Sequence, residues 1–194
     1  MTISGNISNT IYETHRAGLP ASKINIQAGQ LVTDGEIWPC GLVLGKNESN
    51  QYLPCDTVST AVGTGDGSTT DFTDEVGGIE PGTAEITAGA ITLTDDGCGN
   101  FTGTGGSGSI NYETGAVSVN FSTAPANEAA VAMSYKPDPC AVLDAQTDTS
   151  KTSSALVVRF GAVRKADLKV GAIAQTAATS AIIRRLDIHH LYAI

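Results

Sequence analysis

The residues best suited to chemistry in this chain fall into four sets. They are the pair His189 and His190, the run Asp95-Asp96-Gly97-Cys98-Gly99-Asn100, the neighbours Asp74 and Glu75, and the cysteines Cys40, Cys55, Cys98 and Cys140. Each set suggests a ligand or a reaction and misses a requirement of it. Adjacent histidines on an extended segment face opposite ways, so they make a poor metal chelate. The acidic run starts like a calcium loop but lacks alternating ligands and a closing bidentate glutamate, which leaves a plain acidic turn. Asp74 and Glu75 would work as a glycosidase pair only at a fixed separation, which neighbours in a glycine-rich loop do not keep. The cysteines have neither Cys-x-x-Cys nor histidine-paired spacing, so they are expected to be reduced thiols that pack as small apolar side chains. No phosphate loop, Gly-x-Ser-x-Gly, His-Glu-x-x-His or dinucleotide fingerprint is present. The expectation is a protein that is not an enzyme and uses no metal and no cofactor.

In place of reactive groups the chain carries a partition of charge. Residues 58–136 hold ten carboxylates and one base, Lys136, whereas the flanks hold ten acids and ten bases. The formal net charge of -9 therefore lies wholly in the middle block. That block is rich in Gly and Thr and is bounded by Leu53-Pro54-Cys55-Asp56 and Pro137-Asp138-Pro139-Cys140. A change of composition with matching edges predicts one module spliced into a loop of another. If the flanks form one domain, Cys55 and Cys140 mark the neck of the insertion and lie near each other, without a bond in a reducing cytosol. The acidic balance argues against non-specific nucleic-acid binding, which needs clustered Lys and Arg. No apolar run is long enough to span a bilayer. The first residues lack the basic and apolar regions of a signal peptide, so the chain is expected to be used without Sec export.

The elements that would hold these residues are read as mainly β. Residues 1–20 carry isolated apolar side chains without a period and read as an arm, flexible alone, that orders by adding a strand to a partner's sheet. From 23 to 56, Ile24 and Ile26 alternate, Gly29-Gln30 reads as a turn, Asp34-Gly35 as a hairpin, and Leu42-Val43-Leu44 as a buried run. Trp38 is expected in the core. The middle block reads as short strands near 70–72, 83–88, 90–94, 100–102, 109–112, 116–122 and 129–135, separated by glycine turns. Val117, Val119 and Phe121 alternate with Ser118, Asn120 and Ser122, the period of a half-buried strand. After Cys140, residues 141–143 read as a strand and 144–153 as a polar loop. Residues 156–163 read as a strand pair through Phe160-Gly161, and 172–186 as a helix with Ala178, Ile182 and Leu186 on one face. The closing residues 188–194 are expected to pack. The fold class is thus a small β-rich domain with one C-terminal helix, interrupted by an all-β sandwich or barrel. Its parts are an arm (1–20), a domain from 21–57 plus 137–194, and an inserted acidic module (58–136).

Two stretches carry a resemblance. Cys140-Ala141-Val142-Leu143, a loop, then Leu156-Val157-Val158-Arg159-Phe160-Gly161-Ala162-Val163-Arg164, with Leu168 and a late helix, resemble the C-terminal half of lambda-type phage head decoration proteins. Ile24-x-Ile26, Gly29-Gln30, Gly35 and Gly41-Leu42-Val43-Leu44 are similar to the N-terminal half. The middle block resembles a β module of phage virion proteins. That resemblance runs through Gly65 to Phe72, the Asp95 to Asn100 turn, Gly108 to Val117 and Ser134-Tyr135. The insertion is a departure from the compact decoration protein.

The resemblance implies a homotrimeric decoration protein on the outer surface of the virion, cementing neighbouring subunits of an expanded bacteriophage capsid against internal pressure. Its partners would be the major capsid protein and further copies of itself, with no nucleic acid and no membrane. It implies that the arm, with Ile7, Thr10, Ile11, Tyr12 and Glu13, binds the capsid. Two alternatives stay open on the residues alone: a tail- or baseplate-associated virion component, and a glycan-binding surface module.

Overall fold

The computed structural model describes residues 25–194. The first flank forms β1 (Asn25–Gln30), β2 (Ile37–Trp38) and the start of β3 (Val43–Lys46). The middle forms β4 (Tyr52–Pro54), β5 (Val58–Thr64), β6 (Asp71–Glu75), β7 (Glu85–Ala88), β8 (Ile91–Asp95), β9 (Asn100–Gly103), β10 (Gly106–Ile110), β11 (Ala116–Phe121) and β12 (Ala130–Tyr135). The second flank forms β13 (Ala141–Leu143), β14 (Thr147–Asp148), β15 (Ser154–Val163), β16 (Lys169–Val170), β17 (Thr176–Ala177), helix α1 (Ser180–Ile188) and β18 (Leu191–Ala193). The protein is mainly β, with a single α-helix near the C-terminus among the described residues.

The chain divides into two compact units. The flank unit joins the residues up to Val43 with Cys140–Ile194, and the middle unit is Leu44–Pro139. The middle unit thus takes in residues 44–57 and 137–139 as well as 58–136.

In the flank unit the segments on either side of the middle unit pair directly. β1 runs antiparallel to β15, with Gln27 opposite Val157 and Ala28 opposite Leu156. β13 lies antiparallel to β15 through Val142–Val158 and Leu143–Val157, and β18 runs parallel to its far half. β2 pairs with β14, placing Trp38 opposite Thr147. Leu42, Trp38, Val142, Val157, Val163 and Leu191 are fully buried, each apolar side chain contributing about 1.5–3 kcal/mol on removal from water.

Four local expectations differ here. Gly29 and Gln30 do not turn; they stay in β1, opposite Ala155 and Ser154. Asp34-Gly35 does turn, with Gly35 at φ 83°, but it joins no hairpin, because β1 and β2 find partners in the other flank. Residues 154–163 form one ten-residue strand, not a pair, because Gly161 takes its positive φ of 115° without leaving the ladder. The helix begins at Ser180, not 172: Gly171 (φ 84°) and Gln175 (φ 46°) close the β16–β17 hairpin, and the Thr179 side chain caps the helix by accepting from the Ile182 N–H. Ile182 and Leu186 are buried as expected, while Ala178 precedes the helix.

The middle unit holds an eight-stranded sheet in the order β5-β12-β7-β8-β9-β10-β11-β6. Its outer strands approach each other: the Phe72 ring lies 2.6 Å from where a Cβ on Gly63 would stand, and the sheet is nearly closed. Alternation builds the interior. On β11, Val117, Val119 and Phe121 are buried while Ala116, Ser118 and Asn120 face out. Phe72 meets Phe121 edge-on at 5.8 Å, beside Ile86, Leu93, Phe101 and Met133. Entry and exit strands are neighbours, with Val58 opposite Tyr135. A separate hairpin, β3–β4, sets Lys46 opposite Tyr52, its ammonium 4.8 Å from the ring centre.

Candidate interaction surfaces

The carboxylates of the Asp95–Asn100 run are engaged by local hydrogen bonds. Asp95 accepts from the Gly97 N–H at 2.9 Å and the Tyr112 hydroxyl at 2.5 Å through one oxygen, and from the Gly82 N–H at 2.6 Å through the other. Asp96 accepts from the Cys98 N–H (2.7 Å), the Asn100 N–H (3.1 Å) and the Asn100 amide (2.9 Å). The Asn100 amide, then the Cys98 and Asn100 backbone donors, hold the Asp96 carboxyl below its ordinary range. Burial, then the bond to Asp95, pushes the Tyr112 phenol up to about 12. This arrangement ties together the β7, β8 and β10 ends of the middle unit through backbone donors, the Asn100 amide and the Tyr112 hydroxyl. No group of three His, Cys, Asp or Glu side chains converges at metal-binding distance among the described residues.

Asp74 and Glu75 lie on β6 and not in a loop, since Asp74 sits opposite Val117 and Glu75 opposite Ala116 in the ladder. They border a shallow, open groove of about 680 Å³ with Thr73, Ser109, Asn111 and Ser118. His189 caps the C-terminus of α1, so the pair is not on an extended segment. The His190 ring instead stands 6.1 Å from that of Phe160, and its Nδ1 lies 3.4 Å from the Tyr192 hydroxyl.

Of the cysteines, Cys98 is exposed, Cys55 buried, and Cys40 and Cys140 half-buried. Cys55 belongs to the middle unit, and Cys140 opens the second segment of the flank unit. Ile7, Thr10, Ile11, Tyr12 and Glu13 lie outside the described residues.

A feature not foreseen from the sequence is where apolar surface is left open. Among the described residues the exposed large hydrophobic side chains are Ile37, Leu156, Phe160, Ile173, Ile188, Tyr192 and Ile194, and all seven belong to the flank unit. The middle unit exposes none among the described residues and carries thirteen carboxylates against Lys46 and Lys136. Exposed large apolar side chains and net negative charge are thus separated between the two units among the described residues. The composition of 188–194 hid this, because its apolar residues, interrupted by His189 and His190, show no clear period: only Leu191 of its large apolar side chains is buried.

Compared with known proteins, the chain matches no family model, no curated sequence and no solved structure.

Proposed function

We propose that this chain is a structural virion protein: a trimeric decoration protein that binds the outside of an expanded phage capsid and stabilises it against internal pressure. The observation that supports the reading most is the division of labour between the units. Open apolar surface is confined to the unit made by the two flanks, whose β1 and β15 pair across the excursion. The acidic middle unit, its large apolar side chains buried, suits an outward position where like charge keeps neighbouring copies apart. On this reading residues 1–20 pair with strands of the major capsid protein, and repeated weak contacts over the shell supply avidity without a catalytic group.

Electron microscopy of the purified protein mixed with expanded and unexpanded undecorated heads tests the proposal. Trimeric density on the expanded heads alone is expected. Bare heads would overturn it, and rings or tubes formed by the protein itself would assign it to the tail or baseplate instead.

A further inference from the structure

The far half of β15 and β18 form a face with two unlike sides. The strands are parallel, pairing Gly161 with Leu191, Ala162 with Tyr192 and Val163 with Ala193. Side chains alternate across a sheet, so Val163 and Leu191 share one side, and Phe160 and Tyr192 share the other. The first side is core, with Val163 and Leu191 fully buried. The second is open: Phe160 is 44% exposed, Tyr192 46% and Ile194 70%. The backbone beneath is tied down, Gly161 donating to the His190 carbonyl and Ile194 to that of Val163, both at 3.0 Å. Phe160 and Tyr192 therefore stand on paired strands, and Ile194 follows directly on β18.

The rim of this face is basic. Arg164 and Lys165, both exposed, follow β15 directly, the Lys165 N–H donates to the Ile194 carbonyl at 2.9 Å, and residues 154–194 carry six Lys and Arg against Asp167 and Asp187. A rigid apolar centre with a cationic border fits a partner surface that is apolar in the middle and carboxylate-rich around it. A second copy presenting the same rim would meet like charge.

We propose that the Phe160–Tyr192–Ile194 face, with Arg164 and Lys165 at its border, docks the flank unit onto a carboxylate-edged apolar patch of the major capsid protein. The inference rests on the decoration-protein reading above.

The test uses expanded, undecorated heads of the encoding phage, with co-sedimentation between 50 and 500 mM NaCl and sedimentation mass of the free protein. Wild-type binding is expected to weaken as salt rises. Phe160→Ser with Tyr192→Ser should lose at least tenfold in affinity at every salt concentration. Arg164→Glu with Lys165→Glu should lose at least tenfold at low salt and little at high salt. Phe160→Tyr, which keeps the ring, should bind within threefold of wild type and controls for folding. The free oligomer's mass should be the same for all. Variants that bind like wild type would overturn the inference and leave the decoration reading standing. Variants whose free oligomer falls apart would assign the face to contact between copies and overturn it too. A wild-type protein that leaves the heads bare would remove both.

Discussion

The Thr149 hydroxyl donates to the Asp34 carboxylate at 2.6 Å, although the two residues are 115 apart in the chain. The same carboxylate accepts from the Trp38 indole N–H at 3.0 and 3.2 Å and from the Glu36 N–H at 3.0 Å. One side chain from the first flank thus fixes the buried Trp38 and a strand end of the second flank. Asp34→Ala should destabilise the flank unit by about 2 kcal/mol, since it leaves the indole N–H without its acceptor. Thr149→Val should cost about 1 kcal/mol. Trp38 is the single tryptophan, so its fluorescence during urea unfolding reads both changes on this unit.

Acid should weaken the same cluster. Burial acts to raise the Asp34 carboxyl, but donation from Thr149, Glu36 and Trp38 outweighs it and holds the group below its ordinary range. A lowered folded value means the contribution is complete above the unfolded pKa, near 4, and is lost as pH falls through the folded value. Urea midpoints followed by Trp38 should fall in that window for wild type and fall less for Asp34→Asn. Equal slopes for the two proteins would show that other carboxylates carry the acid sensitivity.

At the alkaline end the middle unit should respond through Tyr112 and Tyr135. Burial lifts both phenols to about 12, aided at Tyr112 by the bond to Asp95 and at Tyr135 by the charges of Glu48 and Asp74. A raised folded pKa gives stability that is full below the unfolded value, near 10, and lost as pH climbs through about 12. Phenolate absorbance should show these two ionising late, and Tyr112→Phe should remove one late component. The same variant should cost about 1 kcal/mol, since Tyr112 both donates to Asp95 and accepts from the Gly99 N–H.

Two glycines separate backbone conformation from crowding. Gly115 (φ 76°) lies so close to the Gly77 backbone that an added Cβ would overlap it, whereas Gly89 (φ 60°), in the two-residue turn between β7 and β8, has nothing within 4 Å. Gly89→Ala should cost about 1 kcal/mol, the strain of a left-handed residue alone. Gly115→Ala should cost about 3 kcal/mol or more, as the chain must also move apart. Calorimetric midpoints compare them, and similar losses would contradict the packing described at Gly115.

Thiol labelling should follow burial. Cys98 should react first in the native protein and Cys55 only on unfolding, with four thiols titrated in denaturant. Fast native labelling of Cys55 would contradict its burial.

Strands were legible where apolar and polar residues alternate. β11 follows Val117, Val119 and Phe121, and β7, β8, β9 and β12 fall within two residues of their sequence-derived positions. β5 escaped notice because Ser59, Thr60, Gly63 and Thr64 offer no apolar period; its bare position at Gly63 is filled by Phe72 from across the sheet. The alanine-rich stretch before α1 reads as helix by propensity, yet Gly171 and Gln175 in left-handed conformations bend it into a hairpin. Asp34-Gly35 carries a strong local turn signal, but the partners of β1 and β2 lie beyond residue 140, out of reach of any local rule. Among the candidate site residues, the run from Asp95 to Asn100 was legible as an acidic turn, closed by the Asp96 N–H donating to the Asn100 carbonyl. The exposed Phe160 and Tyr192 were not, since which side of a short strand faces solvent is decided by pairing partners distant in sequence.

Val58 stands across from Tyr135, a separation of about 5 Å between backbones. A gap that short can be bridged by a couple of glycines, so a genome could delete, exchange or acquire this cassette in a single recombination without re-threading the remainder. By the same token, a foreign domain whose termini emerge side by side could ride in its place.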